Sequence, residues 1–170
     1  MPEHLVIVDR VEDWKPEYPR MPVVTARDYL SGPPQPGSRG NPRVLNLCRS
    51  YRYLSVGYYC SLLGEARQHR VMPSVRTIND LGSRALYSLD FADLDGQAQK
   101  AFGNPRGGLT ATQMEMDVMF GQCTVRPLDE LARQLFDTFR APLLRVEFRL
   151  AGKWRLHAVR PLHLHGLDPE

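Results

Sequence analysis

The sequence lacks the features that would place it in a membrane or in a secreted, disulfide-linked class. No stretch approaches the ~18 uninterrupted apolar residues of a membrane-spanning helix. The first ten residues, MPEHLVIVDR, include an acidic residue and only four consecutive apolar ones, which predicts a strand rather than a signal peptide. The three cysteines (Cys48, Cys60 and Cys123) have neither zinc-ligand spacing nor the even number of a disulfide framework. We therefore expect a cytoplasmic protein with reduced thiols and no metal site.

An excess of charge of one sign is also missing. The 22 Lys and Arg residues are scattered, and 19 Asp and Glu residues leave a formal net charge of only +3. This balance predicts neither a nucleic acid nor a membrane as the partner. A chain of 170 residues that is 42% hydrophobic and 24% charged is long enough for one globular domain with a proper core, and short for two.

Motifs of several catalytic classes are absent as well. The Gly-rich stretch 102–110 (FGNPRGGLT) lacks the Gly-Lys-Ser/Thr ending of a P-loop, so we interpret it as a surface loop. The proline- and glycine-rich stretch 31–42 predicts another exposed loop. The carboxylates Asp93, Asp95 and Asp117 have no visible partner, and no catalytic residue can be assigned from the sequence.

Residues 43–76 form the stretch around which the rest of the chain is organised. An apolar run at 44–47 predicts a strand, and a turn rich in tyrosine and arginine follows at 48–55. Ser55 is suited to cap the next helix. The apolar residues on one side of that helix are Val56, Tyr59, Leu62, Leu63 and Ala66. A second short strand at 70–72 completes a strand–helix–strand unit, which predicts a right-handed crossover onto a parallel sheet.

The other segments extend this pattern to an α/β fold class. Further strands are predicted at 4–9, 23–24, 114–120, 144–150 and 154–158, and apolar residues at every second position indicate those at 114–120 and 144–150. Helices are predicted at 26–30, capped by Thr25, and from Pro127 to before Pro142. We predict a single domain over residues 1–170, with a mostly parallel sheet, a βαβ front half and a C-terminal antiparallel hairpin. An α+β description is the alternative.

The turn at 48–55 is the main candidate for a ligand site. In open parallel sheets, ligands bind beyond the carboxyl ends of the strands. Two arginines, several tyrosines and the free amides of a helix N-terminus favour an anion site for a small carboxylate, an amino acid or a peptide. A second group, Arg76, Thr77, Asn79 and Asp80, follows the next strand, and the alternative there is a helix cap by Thr77. The candidate ligand-binding residues are Arg49, Tyr51, Arg52, Tyr53, Ser55, Tyr58, Arg76 and Asn79. The alternative is packing alone, with Tyr53 and Tyr59 in the core, Ser55 only a cap and the arginines solvated.

Other residues able to carry chemistry leave alternatives open. Cys48 is either a nucleophile or a buried structural thiol, and the second is favoured because no base is close in sequence. Cys60 is expected to pack within its helix. Asp9 is either a loop cap or a site carboxylate. His163 and His165 are spaced to share one strand face, but two ligands do not make a metal site, which favours surface histidines.

Three runs of this sequence resemble a known family. They are NLCRSYRYLSVGYYCSLLGEARQHRVMPSVRTINDL at 46–81, FGQCTVRPLDELARQLFDTFRAPLLRVEFR at 120–149 and WRLHAVRPLHLHGL at 154–167. Together they resemble the N-terminal domain that precedes the catalytic part of RimK-like ATP-grasp ligases. The resemblance covers most of the chain, from about residue 4 to residue 167.

The resemblance implies a cytoplasmic protein that works with an ATP-grasp domain, in cis or in trans. With ATP and magnesium, that domain would join a carboxylate to an amine through an acyl phosphate. The chain stops where it would begin, so we expect no ATP-grasp catalytic domain, no cofactor and no catalysis in this chain alone. An accessory domain that aids substrate or acceptor binding and packs against the ATP-grasp domain is the favoured function. A stand-alone anion-binding module, an interaction domain that forms a homodimer, and an enzyme using Cys48 or a tyrosine are the alternatives.

Overall fold

The computed structural model describes residues 4–15, 20–32, 42–82, 91–103, 112–124 and 128–164. The predictions for most of the loop at 31–42, for the Gly-rich segment 104–110, for Pro127 and for His165 therefore lie outside the described residues. The chain divides into two compact units. The first comprises residues 1–79 with 163–170, the second comprises residues 80–162, and each contains its own sheet.

The first unit is built on a parallel sheet. Its strands are β1 (His4–Val8), β2 (Val23–Thr25), β3 (Arg43–Asn46) and β4 (Arg70–Met72), in the spatial order β2-β1-β3-β4. The helices are α1 (Ala26–Ser31), α2 (Val56–Ala66) and α3 (Val75–Gly82), which runs into the second unit; a 3₁₀ turn, Val11–Asp13, follows β1. Thr25 caps α1 by accepting a hydrogen bond from the Asp28 amide. The predicted β3–α2–β4 crossover is confirmed.

Helix α2 packs on the rest of this unit through small residues. Its buried positions are Gly57, Cys60, Ser61 and Gly64, which recur with helical spacing. A Cβ atom on Gly57 would lie 2.3 Å from the Ser50 carbonyl oxygen, and one on Gly64 would lie 2.4 Å from Val71 Cγ2. The helix therefore comes closer to its neighbours than any larger residue would permit. As a consequence, the larger apolar residues of α2 are left on its outer side.

The second unit is an antiparallel sheet with helices on one face. Strands β5 (Gln113–Met119), β6 (Leu143–Ala151) and β7 (Lys153–Pro161) follow one another in space as in sequence. Helices α4 (Ala92–Phe102) and α5 (Asp129–Phe139) pack against this sheet. Their shared core includes Ala98, Leu131, Leu135, Val146 and Phe148. Alternate side chains of β5 and β6, such as Met116 and Val146, enter this core as predicted. Phe120, which the same alternation placed on the apolar face, is 50% exposed.

The structure confirms the α/β fold class, with a parallel βαβ front half and an antiparallel C-terminal hairpin. The hairpin strands belong to a separate three-stranded sheet rather than to the parallel one. The assignment of both units to a single domain over residues 1–170 stays a prediction.

Candidate functional site

The parallel sheet reverses its direction of growth between β1 and β3. The chain places β2 on one side of β1 and then places β3 and β4 on the other. A crevice beyond the carboxyl ends of the strands at such a switch point is the usual ligand position in open α/β sheets. Asp9 follows β1 there, and Cys48 and Arg49 follow β3. The turn at 48–55 therefore begins at the edge where the sequence predicted it.

Arg49 is held by two aspartates at this switch point. Its amide donates a short hydrogen bond to the Asp9 carboxylate. Its guanidinium binds both carboxylate oxygens of Asp13, with Nε 3.1 Å from Oδ2. The Asp13 side chain is only 6% exposed, and its hydrogen bond raises the pKa of Arg49. A ligand anion would have to compete with Asp13, so Arg49 mainly ties the end of β1 to the end of β3.

Tyr51 and His163 fill the region beneath the turn. Tyr51 is buried, and its hydroxyl donates a 2.6 Å hydrogen bond to the Asn46 carbonyl. Burial raises the pKa of this hydroxyl. The His163 ring lies 5.8 Å from the Tyr51 ring, and its Nδ1 is 3.3 Å from the Cys48 carbonyl oxygen. Burial lowers the pKa of His163, so it is a packed neutral ring that supports the turn from below.

The environment of Cys48 favours the structural alternative. Cys48 and Cys60 are both fully buried, and their side chains hydrogen-bond to each other. That hydrogen bond, followed by burial, raises the pKa of the Cys48 thiol. A buried thiol with a raised pKa is a poor nucleophile because the thiolate is the reactive form. Cys60 lies on the inner side of α2, as expected.

Asn46 is a structural centre that the sequence reasoning missed. It is fully buried at the end of β3. Its Nδ2 donates to the Gly57 carbonyl at 2.7 Å and to Ser61 Oγ at 2.9 Å, while its Oδ1 accepts from the Cys48 amide at 3.2 Å. One side chain thus fixes both the turn and the first two turns of α2. The available signal was a lone amide inside an apolar strand, which must find partners when it is buried.

Ser55 caps α2 as predicted. Its hydroxyl accepts a 3.3 Å hydrogen bond from the Tyr58 amide and donates one of 2.9 Å to the Ser50 carbonyl. The cap therefore occupies one of the free amides at the helix N-terminus that were predicted to bind an anion. Arg52 is exposed next to this helix start.

The second candidate group lies on α3, after β4. Arg76 and Asn79 are exposed there. The helix is capped by Ser74, whose Oγ accepts from the Thr77 amide at 3.0 Å, rather than by Thr77 itself. Ligand binding by these residues stays a prediction.

The turn and the outer side of α2 together form an exposed apolar surface. Tyr53 is 74% exposed and Leu54 is 57% exposed, and three helix residues are more than 40% exposed. We call this set the α2 apolar surface; its members are Tyr53, Leu54, Val56, Tyr59 and Leu62. Tyr58 stacks edge-on against Tyr53 at 5.3 Å and against Tyr59 at 5.9 Å. The alternative in which Tyr53 and Tyr59 are core aromatics is therefore wrong.

Within the described ranges, no three His, Cys, Asp or Glu side chains gather closely enough to hold a metal ion. No helix in that same part of the chain is long and apolar enough to span a bilayer.

The fold and the site define an α/β protein whose parallel sheet has a closed, ion-paired switch point beside an exposed aromatic helix face. Comparison with protein families identifies it further. The model of the RimK-like ATP-grasp N-terminal domain matches residues 26–170. The chain therefore belongs to this family. Among curated proteins, no match to the chain is found.

Proposed function

We propose that this chain is an accessory N-terminal domain of a RimK-like ATP-grasp carboxylate–amine ligase that packs against the ATP-grasp domain through the α2 apolar surface. Membership of a family named for its position before an ATP-grasp domain supports the choice of partner. One observation carries the choice of surface. Of the seven large hydrophobic residues that are exposed among the described residues, five lie within ten positions, 53–62.

The composition of this surface suits a protein interface. Tyrosine is enriched at interface hot spots, and charged residues are depleted at interface centres. Within 53–62, no residue is charged. Covering this apolar area with a partner would stabilise the complex by roughly 25 cal/mol for every Å² removed from water.

The surface is also held rigid before any partner arrives. Asn46 and Ser55 fix the start of α2 by hydrogen bonds to Gly57, Ser61 and Tyr58. Leu54 has a left-handed backbone, φ 64°, which costs about 1–3 kcal/mol for a residue other than glycine. That conformation is kept while the Leu54 side chain remains exposed. A backbone that is fixed beforehand loses little entropy on binding, which favours docking.

A role in binding the acceptor is the second part of the proposal. Arg52 is exposed at the helix start, next to Tyr53, and could meet a carboxylate there. Arg49 and Tyr51 would act only as supports, since Asp13 and the Asn46 carbonyl already bind them. Calorimetric titration with short peptides should give heats that Arg52→Gln abolishes and Arg27→Gln, an exposed control on α1, preserves.

The docking proposal is tested by titrating a labelled ATP-grasp domain of a RimK-like ligase with this protein. Tyr59→Ser and Leu62→Ser should each raise the Kd about fivefold or more, because truncating an interface residue that contributes to binding costs about 1 kcal/mol or more. Val11→Ser and Phe120→Ser are matched controls, because both remove an exposed apolar side chain elsewhere. Absence of association by the unmodified protein, or equal losses in all four variants, would contradict the proposal.

A further inference from the structure

One face of the sheet in the second unit is rich in charged side chains, most of which are exposed, although Glu147 is buried. Helices α4 and α5 contribute to the core that contains Val146 and Phe148. The register of β5, β6 and β7 places the intervening side chains on the opposite face. We call this surface the charged sheet face; it comprises Glu115, Asp117, Arg145, Glu147, Arg149, Lys153, Arg155, His157 and Arg160.

The arginines of the central strand are neutralised within the face. Arg145 donates two hydrogen bonds of 2.7 Å to the carboxylate of Asp117. Arg149 donates one of 2.8 Å to Glu147, whose carboxylate is 3.8 Å from His157 Nε2. Because these arginines are paired with carboxylates, the part of the face around β6 has little net charge to attract a charged ligand.

The cations of β7 differ from the arginines of β6, because no carboxylate among the described residues forms an ion pair with them. Lys153, Arg155 and Arg160 are exposed, and none has an ion pair or hydrogen bond from its side chain within the described ranges. The register also sets Arg155 opposite Arg149 and Arg160 opposite Arg145. Like charges directly opposite each other destabilise a sheet, so an anion bound beside β7 would relieve this repulsion.

The arrangement of these cations favours an extended peptide over a nucleic acid. Lys153 and Arg155 are two strand positions apart, about 6.8 Å, which is also the spacing of alternate side chains in an extended peptide. The charged sheet face contains no Phe, Tyr or Trp side chain for base stacking.

Backbone pairing at β7 is not available for such a peptide over the first part of the strand. The amide of Trp154 donates to Gln99 and that of Leu156 donates to Asp95, both on α4. Side-chain hydrogen bonds thus cover this edge, a device that protects edge strands from pairing with other chains. Over this part of β7, recognition must therefore come from the side chains of the face.

We propose that the cations of β7, namely Lys153, Arg155 and Arg160, form a docking site for an extended acidic peptide segment of a partner protein, with carboxylates at alternate positions. The site is independent of the α2 apolar surface, which belongs to the first unit.

Fluorescence anisotropy at low salt tests this proposal with a labelled peptide of alternating Glu and Ser. Arg155→Gln/Arg160→Gln should weaken its binding about fivefold or more, as expected for the loss of two exposed ion pairs. Lys100→Gln/Arg133→Gln changes the net charge equally at exposed positions on α4 and α5 and should bind like the unmodified protein. Arg155→Lys/Arg160→Lys keeps the charge and should preserve binding.

Three results would overturn the proposal. The first is no binding of the peptide at low salt, and the second is equal weakening by both Gln pairs, which would indicate attraction by net charge alone. The third is tighter binding of a labelled oligothymidylate that depends on Arg155 and Arg160. Weaker binding of a peptide with the same glutamates in one block would support the spacing argument. Thermal unfolding of Arg155→Gln/Arg160→Gln should be unchanged or shifted upwards, because the change removes two like-charge pairs.

Discussion

The close packing of α2 makes a sharp prediction about Gly57. In Gly57→Ala, the new Cβ would lie 2.3 Å from the Ser50 carbonyl oxygen and 2.8 Å from Cys48 Cβ. One atom belongs to the backbone and the other to a fully buried side chain, so neither can swing aside. The helix has to move outwards, and overpacking of this kind costs roughly 1–3 kcal/mol.

Helix propensity acts in the opposite direction and limits the net effect. Alanine is more favourable than glycine inside a helix by about 0.8–1 kcal/mol, and less near a helix start. We therefore expect Gly57→Ala to lower the free energy of unfolding by about 1–2 kcal/mol. A change of 1 kcal/mol corresponds to a shift of roughly 2–4 °C in Tm for a chain of this size.

Gly96 offers a matched control in α4. A Cβ atom there would meet nothing within 4 Å, so Gly96→Ala should raise the free energy of unfolding by about 0.5–1 kcal/mol. Urea unfolding followed by far-ultraviolet circular dichroism measures both variants. If Gly57→Ala were as stable as Gly96→Ala, the close approach of α2 to the turn would be refuted.

Two further predictions concern the same unit. Asn46→Ala leaves the Gly57 carbonyl and the Cys48 amide buried without their partner and should cost about 2–4 kcal/mol in urea unfolding; a loss below 1 kcal/mol would contradict the central role of this side chain. Burial lowers the pKa of both His69 and His163 below 6.5, so the unfolded chain takes up protons first and stability should fall as the pH drops from about 7 to 5. The double change His69→Gln/His163→Gln should flatten this part of the stability profile, and an unchanged slope would speak against neutral, packed histidines.

The two proposed surfaces serve different chemistry. The α2 apolar surface lacks charge and suits a permanent contact with another domain. The cations of β7 suit a reversible, salt-dependent contact. A protein that used both could hold a catalytic domain with one unit and a charged peptide with the other. Affinity measurements in which salt weakens only the second contact would separate them.

Local sequence patterns predicted most of the secondary structure. The apolar run of β1 and the alternation of β5 and β6 identified strands, because the side-chain period of a strand is visible in sequence. Thr25 and Ser55 marked helix starts, because their hydroxyls satisfy free amides at short range. These signals depend only on neighbours along the chain, and for this reason the elements that they predicted are present in the folded structure.

The sequence by itself determined the α/β class, the β3–α2–β4 crossover and the family resemblance. Tertiary structure decided which side of α2 is buried, since Gly57 and Gly64 permit a close approach that an apolar pattern does not reveal. It also decided that Arg49 is bound by Asp13, 36 positions away. Contacts between distant residues depend on how strands are ordered in the sheet, and local sequence patterns do not predict that order. The outward aromatic face of α2 is thus a product of the fold rather than of its hydrophobic pattern.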